Sequence, residues 1–250
     1  MQPLRRLVIV IAFMLSGTGL AGSSLAQTDP PRVDVALVLT VDASGSIDPE
    51  EFQLQKEGIA QAVAAPDVMA AIRSGRNGQI AIAYVEWGSP GGAQTVVGWM
   101  FVGDEAGAAR FGAAVLAAPR SLQSYNAIGD AIDHAVRLFA ACPCRPTRRL
   151  IDVSGDNPDN RSRLPAPLAR DAAVAAGITI NALAILNDGR LGPEGRPWLV
   201  ETYEQTVIGG FASFAMAANS RADFARALRE KMVLEISETE SLLVPRGAPG

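Results

Sequence analysis

From residue 33 to residue 236 the chain alternates between short continuous apolar runs and stretches in which apolar positions recur at helical spacing. Val33–Asp42, Gln79–Glu86, Gln94–Val102, Arg148–Val153, Ile178–Ile185 and Phe211–Ala217 read as six strands. Most are apolar on both faces, as strands buried in a parallel sheet are. Helical periodicity covers about 48–72, 104–118, 126–138, 165–176, 198–207 and 220–236. Strands alternating with helices predict an α/β fold with helices on both faces of the sheet. The short stretch Gly88-Ser89-Pro90-Gly91-Gly92 connects the second strand to the third. That is too short for a crossover helix, so this pair is expected to be an antiparallel hairpin with the third strand near an edge. The predicted fold is thus a doubly wound, mostly parallel six-stranded sheet with one antiparallel edge strand.

Local punctuation sharpens several boundaries. Asp48 is a good helix N-cap, Pro49 suits the first helical position, and Gly177 is a C-terminal stop. Gly75-Arg76-Asn77-Gly78 is a turn before the second strand, and Ser220 is expected to cap the last helix. Residues 27–32 read as a short linker, 33–236 as one domain, and 237–250, polar and then Pro/Gly-rich, as a disordered tail. Ahead of the linker, Arg5 and Arg6 precede the apolar run Leu7–Leu15, followed by small residues up to Ala26. This is the pattern of a secretory signal peptide cleaved after Ala26, which predicts a periplasmic or secreted protein. Nine strongly apolar residues are too few to span a bilayer comfortably, so membrane contact is expected only through the uncleaved signal.

Composition then narrows the function classes. The chain has 250 residues, 48% hydrophobic and 19% charged, enough for one domain with a full core. Loss of residues 1–26 removes Arg5 and Arg6 and no acid, taking the formal charge from −4 to −6. No basic run or stripe is present, which argues against nucleic acid as a partner. Cys142 and Cys144 flank Pro143; a disulfide is the default for an exported pair, with a labile bridge or two free thiols as alternatives. His134 is the sole histidine, and its place on a helix reads as a satisfied helix-face residue.

Candidate chemistry gathers in three loops at the carboxyl ends of strands. The first, Asp42-Ala43-Ser44-Gly45-Ser46, puts one carboxylate and two hydroxyls on a single turn, an all-oxygen set suited to Mg²⁺. The second runs from Ser121 through Ser124 and Asn126 to Asp130, and the third from Val153 through Asp156 and Asp159 to Asn160. Taken singly, each is also an ordinary collection of turn and cap residues. Their order and spacing resemble the metal-ion-dependent adhesion site (MIDAS) of von Willebrand factor A (vWA) domains. More narrowly, Tyr84-Val85-Glu86-Trp87, Leu150–Asp156, Val207-Ile208-Gly209-Gly210 and Asp223-Phe224-Ala225 resemble secreted bacterial vWA-like proteins of unassigned function.

The resemblance implies a metal site made of Asp42, Ser44, Ser46, Asn126 and Asp156, holding Mg²⁺ (or Mn²⁺ or Ca²⁺). Asn126 stands where the family has a threonine, so Ser124 or a water is an alternative donor there. Ser154-Gly155-Asp156 lies one residue out of the family's usual Thr-Asp-Gly register, with Asp159 as the second candidate carboxylate. An open coordination position would accept an acidic side chain of an unidentified protein partner. Glu86 is expected on the rim of that site and Trp87 in the core. Asp152, inside an apolar strand, needs a buried partner, a backbone amide or an arginine, and is placed to support Asp156 from behind. Three rivals are a metal-free vWA scaffold, a metal-assisted hydrolase and a nucleotide-binding domain. The hydrolase lacks a Gly-x-Ser-x-Gly elbow, and no phosphate loop follows the first strand, so no enzyme activity and no nucleotide are expected.

Overall fold

A computed structural model describes residues 29–45 and 47–237; the expected signal peptide, Ser46 and residues 238–250 lie outside the described residues. The six strands are β1 (Arg32–Asp42), β2 (Ile80–Trp87), β3 (Gln94–Val102), β4 (Arg145–Gly155), β5 (Thr179–Ile185) and β6 (Ala215–Ala218). They form one sheet in the order β3-β2-β1-β4-β5-β6. β2 and β3 pair antiparallel, and every other neighbouring pair is parallel. The antiparallel strand is therefore at the edge, where the six-residue connection 88–93 has to leave it.

The period of two along β1 divides the interior in two. Val35, Leu37, Leu39 and Val41 face one layer, in which α1 (Pro49–Val63), α2 (Pro66–Ser74), α3 (Glu105–Ala117) and α7 (Phe224–Ile236) supply Ile59, Val68, Phe111 and Leu228. Ala36 and Val38 face the other, covered by α4 (Ile128–Phe139), α5 (Ala166–Ala175) and α6 (Trp198–Thr206) through Ile132, Ala169 and Tyr203. Leaving β1, the chain covers one face, and leaving β4 it covers the other. In doubly wound sheets a crevice opens at such a point, between two adjacent strand ends.

Four boundaries differ from expectation, two of them for a visible local reason. The helix expected over 48–72 is two helices, because Pro66 lacks an N–H and forces Ala65 into an extended conformation (ψ 141°). Asp48 does cap α1, in a reciprocal capping box with Glu51. The last strand starts at Ala215 instead of Phe211, since Gly210 (φ 95°) and Ala212 (φ 53°) turn the chain first. Ser220 caps a 3₁₀ turn, Arg221–Asp223, ahead of α7. β4 begins at Arg145, earlier than Arg148.

A disulfide joins Cys142 to Cys144. The partner of Asp152 is a lysine, not an arginine or a backbone amide. Lys231 of α7, fully buried, lies 2.7 Å from Asp152 and 2.5 Å from Glu235, a triad of one cation and two carboxyls. Ser154 Oγ and Asn181 Nδ2 donate to Asp152 and Glu235 respectively. Asp152 is thus part of a structural link between the sheet and α7.

Candidate metal centre

Three loops meet above the carboxyl ends of β1 and β4, where the crevice is expected. Asp42 is the last residue of β1 and is 1% exposed. Its Oδ1 accepts from the Ser44 amide at 2.7 Å, which folds the turn back over the carboxylate. Its Oδ2 is buried and has no hydrogen-bond partner. Asp156 follows the last residue of β4; Asn157 Nδ2 donates to its Oδ1 at 2.7 Å. Asn126, one residue before the cap of α4, is buried with its side-chain oxygen unpartnered. The two orphaned oxygens come from two of the three loops the sequence singled out. A buried acceptor without a donor costs about 1–3 kcal/mol, so both oxygens are ready to ligate a cation, and the Asp42 carboxylate could alternatively take a proton.

The electrostatics agree. Burial, and after it the neighbouring charge of Asp156, pushes the Asp42 carboxyl up to about 7. Two neighbouring buried carboxylates repel each other, which a shared proton or a cation between them would relieve. The Tyr203 hydroxyl, buried beside them and donating to the Asn157 carbonyl at 2.8 Å, is raised well above its ordinary range by burial and then by Asp42 and Asp156.

The loops are held in part by residues that sequence reasoning passed over, Arg120, Arg221 and Glu51. Arg120 reaches into the first loop and donates to the carbonyls of Ala43, Ser44 and Ile47 at 3.2, 2.9 and 2.8 Å, with its guanidinium 4.6 Å from the Phe52 ring centre. Asn126 and Asn160 bond reciprocally, amide to side chain and amide to carbonyl, and so tie the second loop to the third. Arg221, from the turn before α7, lies 2.5 Å from Asp156 Oδ2 and 2.9 Å from Glu51. No spacing rule points to Arg221, because it comes from a fourth loop 65 residues from Asp156. Glu51 is legible only as the third residue of a capped helix.

Other expected residues take different positions. Glu86 is fully buried and so is not on the rim: it accepts from the Ser121 amide at 2.6 Å and the Tyr84 hydroxyl at 3.1 Å, anchoring the second loop from beneath. Trp87 is buried, as expected. Asp159 is committed to the amides of Gly129 and Ala166 and to Ser162, at the starts of α4 and α5. Ser124 is exposed. His134 is half-buried and bonded to Thr95 at 2.8 Å. Ser44 is buried in the turn beside Asp42. Among the described residues no group of three or more His, Cys, Asp or Glu is gathered to hold a metal. The candidate set brings two carboxylates, and its remaining donors are hydroxyl and amide oxygens. That chemistry fits a hard cation such as Mg²⁺.

A family model described as "Protein of unknown function (DUF1194)" matches residues 32–240. No curated protein matches by sequence. Among solved structures, proximal thread matrix protein 1 from the mussel byssus superposes with a TM-score of 0.56 at 18% identity, covering 82% of this chain and 47% of that one. A von Willebrand factor type A protein from Catenulispora acidiphila gives a TM-score of 0.56 at 18% identity, over 82% of this chain and 43% of its own. The vWF domain of the pilus tip protein Mfa5 from Porphyromonas gingivalis gives 0.53 at 11% identity, over 88% and 99%. A further structure of the mussel protein has a zinc-occupied MIDAS motif. This chain spans less than half the length of the first two proteins. The likeness establishes the vWA fold: a mostly parallel sheet with one antiparallel edge strand, flanked by helices.

Proposed function

The chain belongs to the DUF1194 family of proteins of unknown function and has the vWA fold, and from that premise we propose that it is an exported, non-catalytic binding module. One divalent cation, Mg²⁺ or Mn²⁺ or Ca²⁺, would be held by Asp42, Ser44, Ser46, Asn126 and Asp156. The cation would supply a coordination position for an acidic side chain of a partner protein. The observation that carries this reading is the pair of buried, unpartnered oxygens, Asp42 Oδ2 and Asn126 Oδ1, in two of the three converging loops. The zinc-occupied motif of the mussel protein supports it by analogy of fold. This chain's residues do the positioning: Arg120 fixes the first loop, Glu86 the second, and the Asn126–Asn160 bonds join the second to the third. The expected signal peptide and the pilus and byssus settings of the structural relatives support export. Among the described residues no helix is long and apolar enough to cross a membrane.

One observation favours a second reading. The Arg221 guanidinium already neutralises Asp156, which would suit a vWA scaffold that works without metal. Calorimetric titration of Mg²⁺, Mn²⁺ and Ca²⁺ into the mature protein separates the two. The metal reading predicts saturable binding of one ion, lost in Asp42→Ala and in Asp156→Ala. A folded wild-type protein that binds none of the three ions would support the scaffold instead.

A further inference from the structure

At the amino ends of the strands, opposite the three loops, lies a cavity of about 680 Å³. That volume is in the range of small-molecule sites, roughly 300–1,000 Å³. Five arginines line it, Arg32, Arg76, Arg145, Arg148 and Arg149, in a chain whose formal charge is −4. Three of them have work elsewhere: Arg145 pairs with Asp29, Arg148 donates to the Ile236 carbonyl, and Arg149 to that of Ala176. Among the described residues the guanidiniums of Arg32 and Arg76 make no hydrogen bond or ion pair. Arg145 has Asp29 as its counter-charge, whereas Arg32 and Arg76 pair with none among the described residues, and an anion would supply one.

The same cavity has an apolar side and a strained edge. Phe211 is 70% exposed and Leu234 is 54% exposed, both large apolar side chains on its wall. Ala212, beside Phe211, adopts a left-handed backbone conformation (φ 53°), which costs a non-glycine residue about 1 kcal/mol or more. Thr179 Oγ1 and Asn181 Oδ1 hold this segment, bonding the Phe211 carbonyl at 3.3 Å and the Phe214 amide at 3.1 Å. At the floor of the cavity the buried Glu235 carboxyl has one oxygen, Oε2, without a hydrogen-bond partner, while Lys231 at 2.5 Å offsets its charge.

We propose that this cavity is a second binding site, separate from the metal loops, for a small organic acid whose anionic head meets Arg32 and Arg76 and whose apolar body lies on Phe211 and Leu234. Glu235 Oε2 would accept a hydrogen bond from a donor on that body.

The probe is 8-anilinonaphthalene-1-sulfonate, an aromatic sulfonate whose fluorescence rises on transfer to an apolar site, titrated into the mature full-length protein with and without chelator. One saturable site is expected, unaffected by chelator. Loss of two charge-assisted contacts in Arg32→Ala/Arg76→Ala is expected to weaken it about tenfold or more, and Phe211→Ala to lower both affinity and fluorescence. All three substituted side chains are exposed, so these variants leave the core intact. Non-saturating binding, or equal affinity in wild type and the double-arginine variant, would overturn the assignment.

Discussion

At the scale of single residues, charge decides more than shape. Arg221 places a fixed cation on Asp156, so it competes for the electrostatic role that a divalent ion would take. Arg221→Gln keeps a donor and removes the charge; it is expected to tighten Mn²⁺ binding roughly tenfold, since one nearby unit charge in a half-polar site is worth 1–2 kcal/mol. Unchanged or weaker affinity in the titration would mean that Arg221 only orients Asp156. A second prediction concerns Glu235, whose carboxyl burial pushes from 4.5 up to about 7 against the pull of Lys231. A carboxyl raised on folding stabilises fully below its unfolded value and loses that contribution as pH rises through its folded value. Wild-type stability is therefore expected to fall between pH 4.5 and 7 by on the order of 3 kcal/mol from this group. Glu235→Gln should flatten that fall in thermal melts at pH 5 and pH 8; parallel losses in both proteins would contradict the triad's account. The sequence marked Asp152 as a buried charge in need of a partner. Lys231 was not legible, because it reads as one more charge on an amphipathic helix.

At the scale of elements, the site depends on how closely α4 and the loops approach. Gly129, in the first turn of α4, has no room for a side chain: a Cβ there would run into the Leu164 carbonyl and lie 2.8 Å from the Ala166 amide. Gly129→Ala is expected to displace α4 from α5 and cost about 2–3 kcal/mol in urea unfolding. A loss under about 0.5 kcal/mol, the size of an ordinary surface change, would show that this packing yields easily. The strands and their order of types were readable because a buried parallel strand writes itself as a continuous apolar run. The break at Pro66 was readable too, had the proline been weighed above the periodicity. The late start of β6 was not, since nothing in Phe211-Ala212-Ser213-Phe214 announces a non-glycine residue at positive φ. Glu86 was misplaced for a related reason. A carboxylate at a strand end suggests a rim; the Ser121 amide, brought from 35 residues away, and the Tyr84 hydroxyl satisfy it in the interior.

At the scale of the whole molecule, the fold brings four segments distant in sequence to one end of the sheet and an arginine-lined cavity to the other. A ligand that binds only the folded state stabilises it by mass action, about 2.7 kcal/mol at a hundred times its dissociation constant. Saturating Mn²⁺ is accordingly expected to raise the melting temperature by several degrees, reversed by chelator and absent in Asp42→Ala. The order of the three loops along the chain, each after a strand or before a helix, was legible because loops at the carboxyl ends of parallel strands must converge. The fourth contribution, Arg221 with Glu51, was not, since it depends on tertiary approach alone. The most direct test of the metal site is anomalous diffraction from a crystal of the mature protein soaked in Mn²⁺. One strong peak is expected between the three loops, about 2–2.3 Å from ligating oxygens that include Asn126 Oδ1 and the first-loop donors. A well-ordered site with no peak there, or with Mn²⁺ bound only elsewhere, would contradict it.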